Sequence, residues 1–303
     1  MVSWQSSVVS MMARVTVKQA VKREGSIEQF RSGLARLERL APSMPRGVNS
    51  TPDPHLPHCE SEWLALSATR TDRMLLHFPG GAFVVRMPGF ERAMTARLCV
   101  AATTRARIVY YRLAPEHPFP AGQQDGLDAY RQLLELGVSP SRIVFSGISA
   151  GGTMALSVLL ALRDAGQPLP AGALLMSPVT DLTDPHEGTR VSNELYDAVL
   201  SGDRGMEMRQ MYVGGKTELL RHPHVSPVFG DFTGLPRLLF QVGGSEILLD
   251  DSRRCAVQAR AAGVDAEVEI WNGMQHGWQG LPFVPESQLA IERASDFIRE
   301  CCP

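Results

Sequence analysis

Along the chain, short continuous apolar runs alternate with longer stretches whose apolar positions recur every three or four residues. The short runs fall at Met74–Phe78, Arg107–Tyr111, Arg142–Ser146, Ala171–Met176, Arg237–Val242 and Ala266–Ile270. Their unbroken apolar character suits strands covered on both faces. Between most of them the helical period predicts helices over Phe90–Thr104, Gln123–Leu136, Ala150–Ala165, Asp251–Ala262 and Pro285–Arg299. Strands alternating with helices predict an α/β fold with a mostly parallel sheet and helices on both faces.

Two segments break this rhythm. Residues 1 to about 55 read as helical and then Pro-rich. Their first part, "MVSWQSSVVSMMARVTVKQAVKRE", has no early basic region and no uninterrupted apolar block, so it reads as an amphipathic helix and not a signal peptide. It is expected to pack on its own protein. Contact with a membrane surface is the alternative, since Lys18, Lys22 and Arg23 follow apolar residues. Residues 183–225 are polar, Gly-rich and Met-rich, with a helix expected near Gly205–Tyr212. They interrupt the chain between two core strands, at the carboxyl ends where open α/β sheets bind ligands. The expected organisation is a helical cap built from 1–55 and 183–225 over a core of 56–182 and 226–303.

Composition narrows the partners. The chain has 303 residues, 44% hydrophobic, with a net charge of -2 and no long basic run, so nucleic acid is not an expected partner. No stretch is long and apolar enough for stable membrane insertion. The five cysteines show neither metal-type spacing nor a disulfide framework, which fits reduced thiols in a cytoplasmic protein. "HLPHCE" (His55–Glu60) mimics a metal cluster but lacks a second ligand pair, so no metal site is expected. Asn49-Ser50-Thr51 is a glycosylation sequon, relevant only to a secreted protein.

The strongest chemical signal is "IVFSGISAGG", in which a predicted strand runs into Gly147-Ile148-Ser149-Ala150-Gly151 and then a helix. A G-x-S-x-G turn between strand and helix is a nucleophile elbow. The sharp turn exposes the Ser149 hydroxyl, the glycines let backbone pass close by, and the helix N-terminus aims free N–H groups at an oxyanion. A nucleophilic serine needs a base. His276, in the Gly-bounded loop "WNGMQHGWQG", follows the predicted strand Ala266–Ile270 and comes after the serine in the chain. The base needs an acid, and Glu246 stands just past the strand Arg237–Val242, giving the order Ser149, Glu246, His276. Asp250 and Asp251 compete for that role. They stand about one turn further on, where carboxylates cap a helix, so Glu246 is favoured as nearest the strand end. "LLHFPGGAFV" opens an early strand onto Gly80 and Gly81, whose N–H groups are expected to form an oxyanion hole with that of Ala150.

With these stretches in view, the chain resembles the hormone-sensitive-lipase-like, or bacterial family IV, carboxylesterases. "FPGGAF", "YYRLAPEHPFPAGQQDGLDAY", "GISAGG", "GGSEILLDDS" and "MQHGW" carry the resemblance, with "CESEWL" and "SPVTDL" beside them, from about Glu60 to the C-terminus. The resemblance implies an α/β-hydrolase core with a helical cap, and hydrolysis of short- to medium-chain carboxylic esters without a cofactor. It supports Glu246 as the acid and allows a homodimer through the last strand and helix. It also implies that Arg112, Glu116 and Asp125 hold loops near the site.

Three positions depart from the family: Pro79 replaces the loop histidine, Ala82 the third glycine, and Ile148 the usual residue before the nucleophile. The family histidine fixes the oxyanion loop by hydrogen bonds, which proline cannot make, although proline does fix φ. His77, two residues earlier, is the candidate to substitute in part, provided the strand runs far enough to put it on the same face as Pro79. The expected substrate pocket comprises Phe83, Ile148, Met206, Met208, Met211 and Trp278, the methionines because they adapt to varied apolar shapes. A ligand-binding protein on the same scaffold stays open, as does an amidase, lactonase or deacetylase using the same three residues.

Overall fold

The predicted strands all form, joined by two that the apolar pattern does not mark. The computed structural model describes residues 2–22, 25–67, 71–183 and 186–303, and of residues 203 and 204 only the backbone. Among the described residues the strands in chain order are β1 (Val48–Asp53), β2 (Glu60–Leu66), β3 (Met74–Phe78), β4 (Arg105–Tyr110), β5 (Ile143–Ile148), β6 (Gly172–Met176), β7 (Arg237–Gly243) and β8 (Ala266–Trp271). They build one sheet in the order β1-β2-β4-β3-β5-β6-β7-β8. β2 is antiparallel to β1 and β4, and every other pair is parallel.

The helices are α1 (Trp4–Val15), α2 (Val17–Lys22), α3 (Ile27–Leu37), α4 (Pro88–Ala102), α5 (Ala121–Glu135), α6 (Ala150–Asp164), α7 (Thr189–Ser192), α8 (Gly202–Tyr212), α9 (Leu249–Ala261) and α10 (Pro285–Cys301). Strand alternation divides the core in two. Met74, Leu76, Phe78, Ile143 and Phe145 face α5, α6 and α9. Leu75, Val144, Leu174 and Leu239 face α4 and α10 on the other side. Every residue of β3, β5 and β6 is buried, as expected of parallel strands covered on both faces.

β1 and β2 correct the sequence reading. β1 is an edge strand with four exposed residues in its middle, and Pro52 is tolerated there because an edge leaves N–H groups unpaired. Its Asp53 reaches into the core and pairs with Arg107 of β4 at 2.6 Å, with both side chains buried. The 1–55 boundary therefore falls too late, since Val48–Asp53 already form a strand of the sheet.

The helices before β1 and the segment around α8 lie together. Ile27, Phe30 and Leu34 of α3 form one apolar cluster with Met208 of α8 and with Val84 and Val85 from the loop after β3. Arg31 of α3 donates to the carbonyls of Val84 (2.7 Å) and Ala114 (2.9 Å). Lys18 is buried, not turned outward, and donates to the carbonyls of Asp197 (2.8 Å) and Glu194. This removes it from any membrane-facing basic patch. Lys22 lies 3.8 Å from Glu194, and Arg23 falls outside the described residues. Among the described residues no helix is long and apolar enough to cross a membrane.

Candidate active site

The site assembles at the carboxyl ends of the central strands. β5 ends at Ile148, α6 starts at Ala150, and Ser149 between them holds φ 56° and ψ −123°. That is a conformation side-chain-bearing residues rarely adopt, and it costs of order 1–3 kcal/mol. The turn closes tightly enough to exclude side chains at its glycines. A Cβ on Gly147 would overlap the Gly151 carbonyl, and one on Gly151 would overlap the Phe78 carbonyl at the end of β3. The Ser149 N–H is anchored to the Met176 carbonyl at 2.8 Å, so the strained residue is tied to the neighbouring strand β6.

Glu246 follows β7 and is fully buried. Its Oε1 accepts from the Ser177 hydroxyl and from the Gly243 N–H, each at 2.7 Å. Its Oε2 lies 2.7 Å from Nδ1 of His276, which comes from the loop after β8. An ionised carboxylate only accepts, so the proton sits on Nδ1 and Nε2 keeps its lone pair. Burial pulls the His276 pKa down. The charge and hydrogen bond of Glu246, with the charge of Asp197, outweigh it, and the net shift is above the ordinary value of 6.5. Gly277, next in that loop, lies against the elbow: a Cβ there would be 3.9 Å from Ile148 Cδ1.

Asp250 and Asp251 serve elsewhere. Asp251 accepts from the N–H groups of Thr180 and Asp181 and pairs with Arg190 at 2.9 Å. Asp250 accepts from the Thr189 N–H and pairs with Arg253. Two neighbours of the Glu246–His276 pair escape a reading of the sequence alone. Ser177 stands directly after β6 with φ 46°, and only the fold reveals that its hydroxyl meets the acid. Asp197 accepts from the Ile247 N–H at 3.0 Å. Burial first and the charge of Glu246 second push Asp197 above the usual carboxylate range.

The loop after β3 corrects one expected donor. The Gly80 N–H donates to Oε1 of Glu91 at 2.8 Å and is not available to a substrate. The N–H groups that follow, of Gly81 and Ala82, have no acceptor among the described residues, and Ala150 occupies the first position of α6, where an N–H has no partner within the helix. Ala82 (φ 51°) and Phe83 (φ 66°) line a cavity together with Ser149. Gly81 has φ 116°, and a Cβ there would overlap the Val85 carbonyl, so this position requires glycine.

The cavity at Ser149 has largely apolar walls, including Phe83, Val179, Leu200, Met208, Ile247 and Leu248. Two of the expected pocket residues, Phe83 and Met208, are among them. The other expected pocket residues do not line it. Met206 points outward, 43% exposed, because α8 presents that face to solvent. Met211 packs among the α3 side chains. Ile148 turns to the opposite core with Leu75 and Val144. Trp278 is fully buried against Met274 and Ala290. Among the described residues no His, Cys, Asp and Glu side chains gather into a group able to hold a metal.

Comparison with known proteins bears on the fold and the family. Residues 75–280 match a family described as having the alpha/beta hydrolase fold. The chain is 40% identical over 244 residues to an acetyl-hydrolase of Streptomyces hygroscopicus, covering 80% of each protein. It is 32% identical to an esterase of Acinetobacter venetianus, over 97% of this chain and 96% of that protein. Among solved structures, an esterase of the bacterial hormone-sensitive lipase family superposes with a TM-score of 0.92 at 35% identity, covering 99% of both chains. The esterase EstE5, soaked with p-nitrophenyl butyrate, superposes with a TM-score of 0.90 at 33% identity, again over 99% of both.

Proposed function

This chain belongs to the α/β-hydrolase fold family, among the bacterial hormone-sensitive-lipase esterases, and hydrolyses carboxylic esters; from that premise we propose how its own residues carry out the reaction and which esters it takes. The Ser149 hydroxyl attacks the ester carbonyl carbon while His276 Nε2 takes its proton. Glu246 holds the imidazole in the tautomer that leaves Nε2 free, and its charge stabilises the imidazolium that forms. The tetrahedral oxyanion receives N–H groups from Gly81, Ala82 and Ala150, Ala82 standing in for Gly80. His276 then protonates the leaving alkoxide as the carbon–oxygen bond breaks. Water, activated by the same imidazole, hydrolyses the acyl-enzyme and regenerates Ser149.

The observation that carries this reading is the 2.7 Å contact between His276 Nδ1 and a fully buried Glu246. It comes with a serine held in a strained elbow between strand and helix. A protein that only bound a ligand would gain nothing from a buried acid–imidazole pair.

For substrate, esters with short acyl chains fit best. The cavity at Ser149 has largely apolar walls that include Phe83 and Met208, and Phe83 is backed by the ring of Tyr212 stacked on it at 3.9 Å. The name of one relative, an acetyl-hydrolase, points the same way. The segment before residue 48, together with residues 183–225, acts as the cap over this cavity. That role is supported by Val21 and Met208, one from each part, both lining it.

The test is initial rates on p-nitrophenyl esters from acetate to laurate, with wild type beside Ser149→Ala. The expected result is a peak at acetate to butyrate and a loss of at least about a thousandfold in the variant, the scale of a triad member. An unchanged rate in Ser149→Ala would overturn the mechanism, and a peak at laurate would overturn the acyl preference.

A further inference from the structure

Pro79 brings no N–H to the loop that precedes the free donors, yet the peptide that follows it is gripped at both ends. Its oxygen, the Pro79 carbonyl, accepts from the Tyr111 hydroxyl at 2.8 Å. Its N–H, that of Gly80, donates to Oε1 of Glu91 at 2.8 Å. The other oxygen of Glu91 accepts from Nε2 of His77 at 2.9 Å, and Nδ1 of His77 accepts from the Ser146 hydroxyl at 2.9 Å. The four side chains of this chain of bonds come from four elements or their ends. His77 and Ser146 are register partners on β3 and β5, Glu91 sits in the first turn of α4, and Tyr111 follows β4. All four are buried.

A buried carboxylate is retained only where its charge is paired and hydrogen-bonded. Glu91 meets that requirement with one backbone N–H, one imidazole N–H and the positive end of the α4 dipole. The bond to Gly80 is the informative one. It spends a backbone donor next to the reacting centre on scaffold, and it fixes the plane from which the next two N–H groups project. Those groups belong to Gly81 and to Ala82, and Ala82 and Phe83 hold positive φ that neither residue prefers. Intrinsic backbone preference does not keep such a loop in place.

We propose that Glu91 is a positioning residue for the oxyanion loop: with His77 behind it and Tyr111 opposite, it clamps the Pro79–Gly80 peptide and thereby aims the Gly81 and Ala82 N–H groups at the developing oxyanion. This rests on the reading of that loop as the oxyanion donor. The clamp acts on the transition state and not on substrate affinity, because the ester carbonyl in the ground state demands less of the donors than the oxyanion does.

The test compares wild type, Glu91→Ala, Glu91→Gln, Tyr111→Phe and Ser149→Ala on p-nitrophenyl butyrate. Each is also assayed for inhibition by a short alkyl trifluoromethyl ketone, whose adduct with a serine carries an oxyanion. Glu91→Ala is expected to lower kcat about a hundredfold with KM changed less than about threefold, and to weaken the ketone by the same factor as kcat. Glu91→Gln keeps an acceptor for Gly80 and offers a donor to His77 in its other tautomer, so it should recover to within about tenfold of wild type. Tyr111→Phe should lower kcat and ketone affinity together, by about tenfold. A folded Glu91→Ala enzyme with unchanged kcat and ketone affinity, or with only its melting temperature or KM altered, would overturn the proposal. If Glu91→Ala does not fold, Tyr111→Phe decides by the same two readouts. Activity surviving in Ser149→Ala would instead refute the serine mechanism itself, a result separate from the fate of the clamp.

Discussion

Replacing Glu246 by glutamine changes one atom and should nearly abolish turnover. The Oε1 site receives two donors, the Ser177 hydroxyl and the Gly243 N–H, both at 2.7 Å. A glutamine in this place must therefore put its carbonyl oxygen there. Turning the amide over would set its NH2 against both donors, leaving buried groups unsatisfied at about 1–3 kcal/mol each. With the oxygen so fixed, the NH2 faces His276 Nδ1 and donates to it. The imidazole must then carry its own proton on Nε2, where a base needs a lone pair. The expected loss in kcat is about ten-thousandfold, the scale for an acid-to-amide change in such a triad, equivalent to about 5.5 kcal/mol. The pH profile gives a second readout. Glu246 helps hold the His276 pKa above its ordinary value, so wild-type activity should fall as pH drops through that raised pKa. The acid limb of whatever activity remains in Glu246→Gln should move to lower pH. The assay is kcat and kcat/KM on p-nitrophenyl butyrate between pH 5 and 9. A Glu246→Gln enzyme within tenfold of wild type, or with an unmoved acid limb, would refute the tautomer argument.

Other substitutions test other parts of the structure. Met208→Ala should open the cavity and raise the ratio of kcat/KM for hexanoate over butyrate by about fourfold per methylene admitted, from about 0.8 kcal/mol each, while the exposed Met206→Ala leaves the ratio alone. Equal responses to the two changes would show that the cap does not size the acyl site. Gly151→Ala forces a Cβ into the Phe78 carbonyl, so urea unfolding should report a loss of at least about 3 kcal/mol, and a stable, active variant would contradict the tight elbow. Asp53→Ala leaves Arg107 buried without its counter-charge and should cost about 3–5 kcal/mol by the same measurement; a cost below about 1 kcal/mol would mean that water reaches the guanidinium.

What the sequence reveals about this protein follows from where its information is local. β3 is marked at both ends, because a fully buried parallel strand must be apolar throughout. The elbow is legible because Gly147, Ser149 and Gly151 meet one steric requirement within five positions. β1 is not, since its edge position lets "VNSTPD" stay polar and lets a proline in. The pocket residues divide in the same way. Phe83 sits next to a recognisable loop, whereas the fates of Met206, Met208 and Met211 depend on how α8 rotates against α3, a packing choice with no local signature. The engagement of Gly80 is the plainest case. "PGG" advertises free backbone donors, and only the arrival of Glu91 from α4 shows that the first is already taken.

The contact of Lys18 with the carbonyl of Asp197 joins residues 179 positions apart, and that separation orders events on the ribosome. The helices before β1 are made before α8, carrying Ile27, Phe30 and Leu34, whose partner Met208 has not yet been translated. At roughly 5–20 residues per second, the wait is on the order of 10 to 35 s. Val84, Val85 and Ala114 of the same cluster are made within that interval, so α8 joins apolar partners of α3 that already exist. His276 comes later still, so the reactive centre cannot exist until residue 276 has been made.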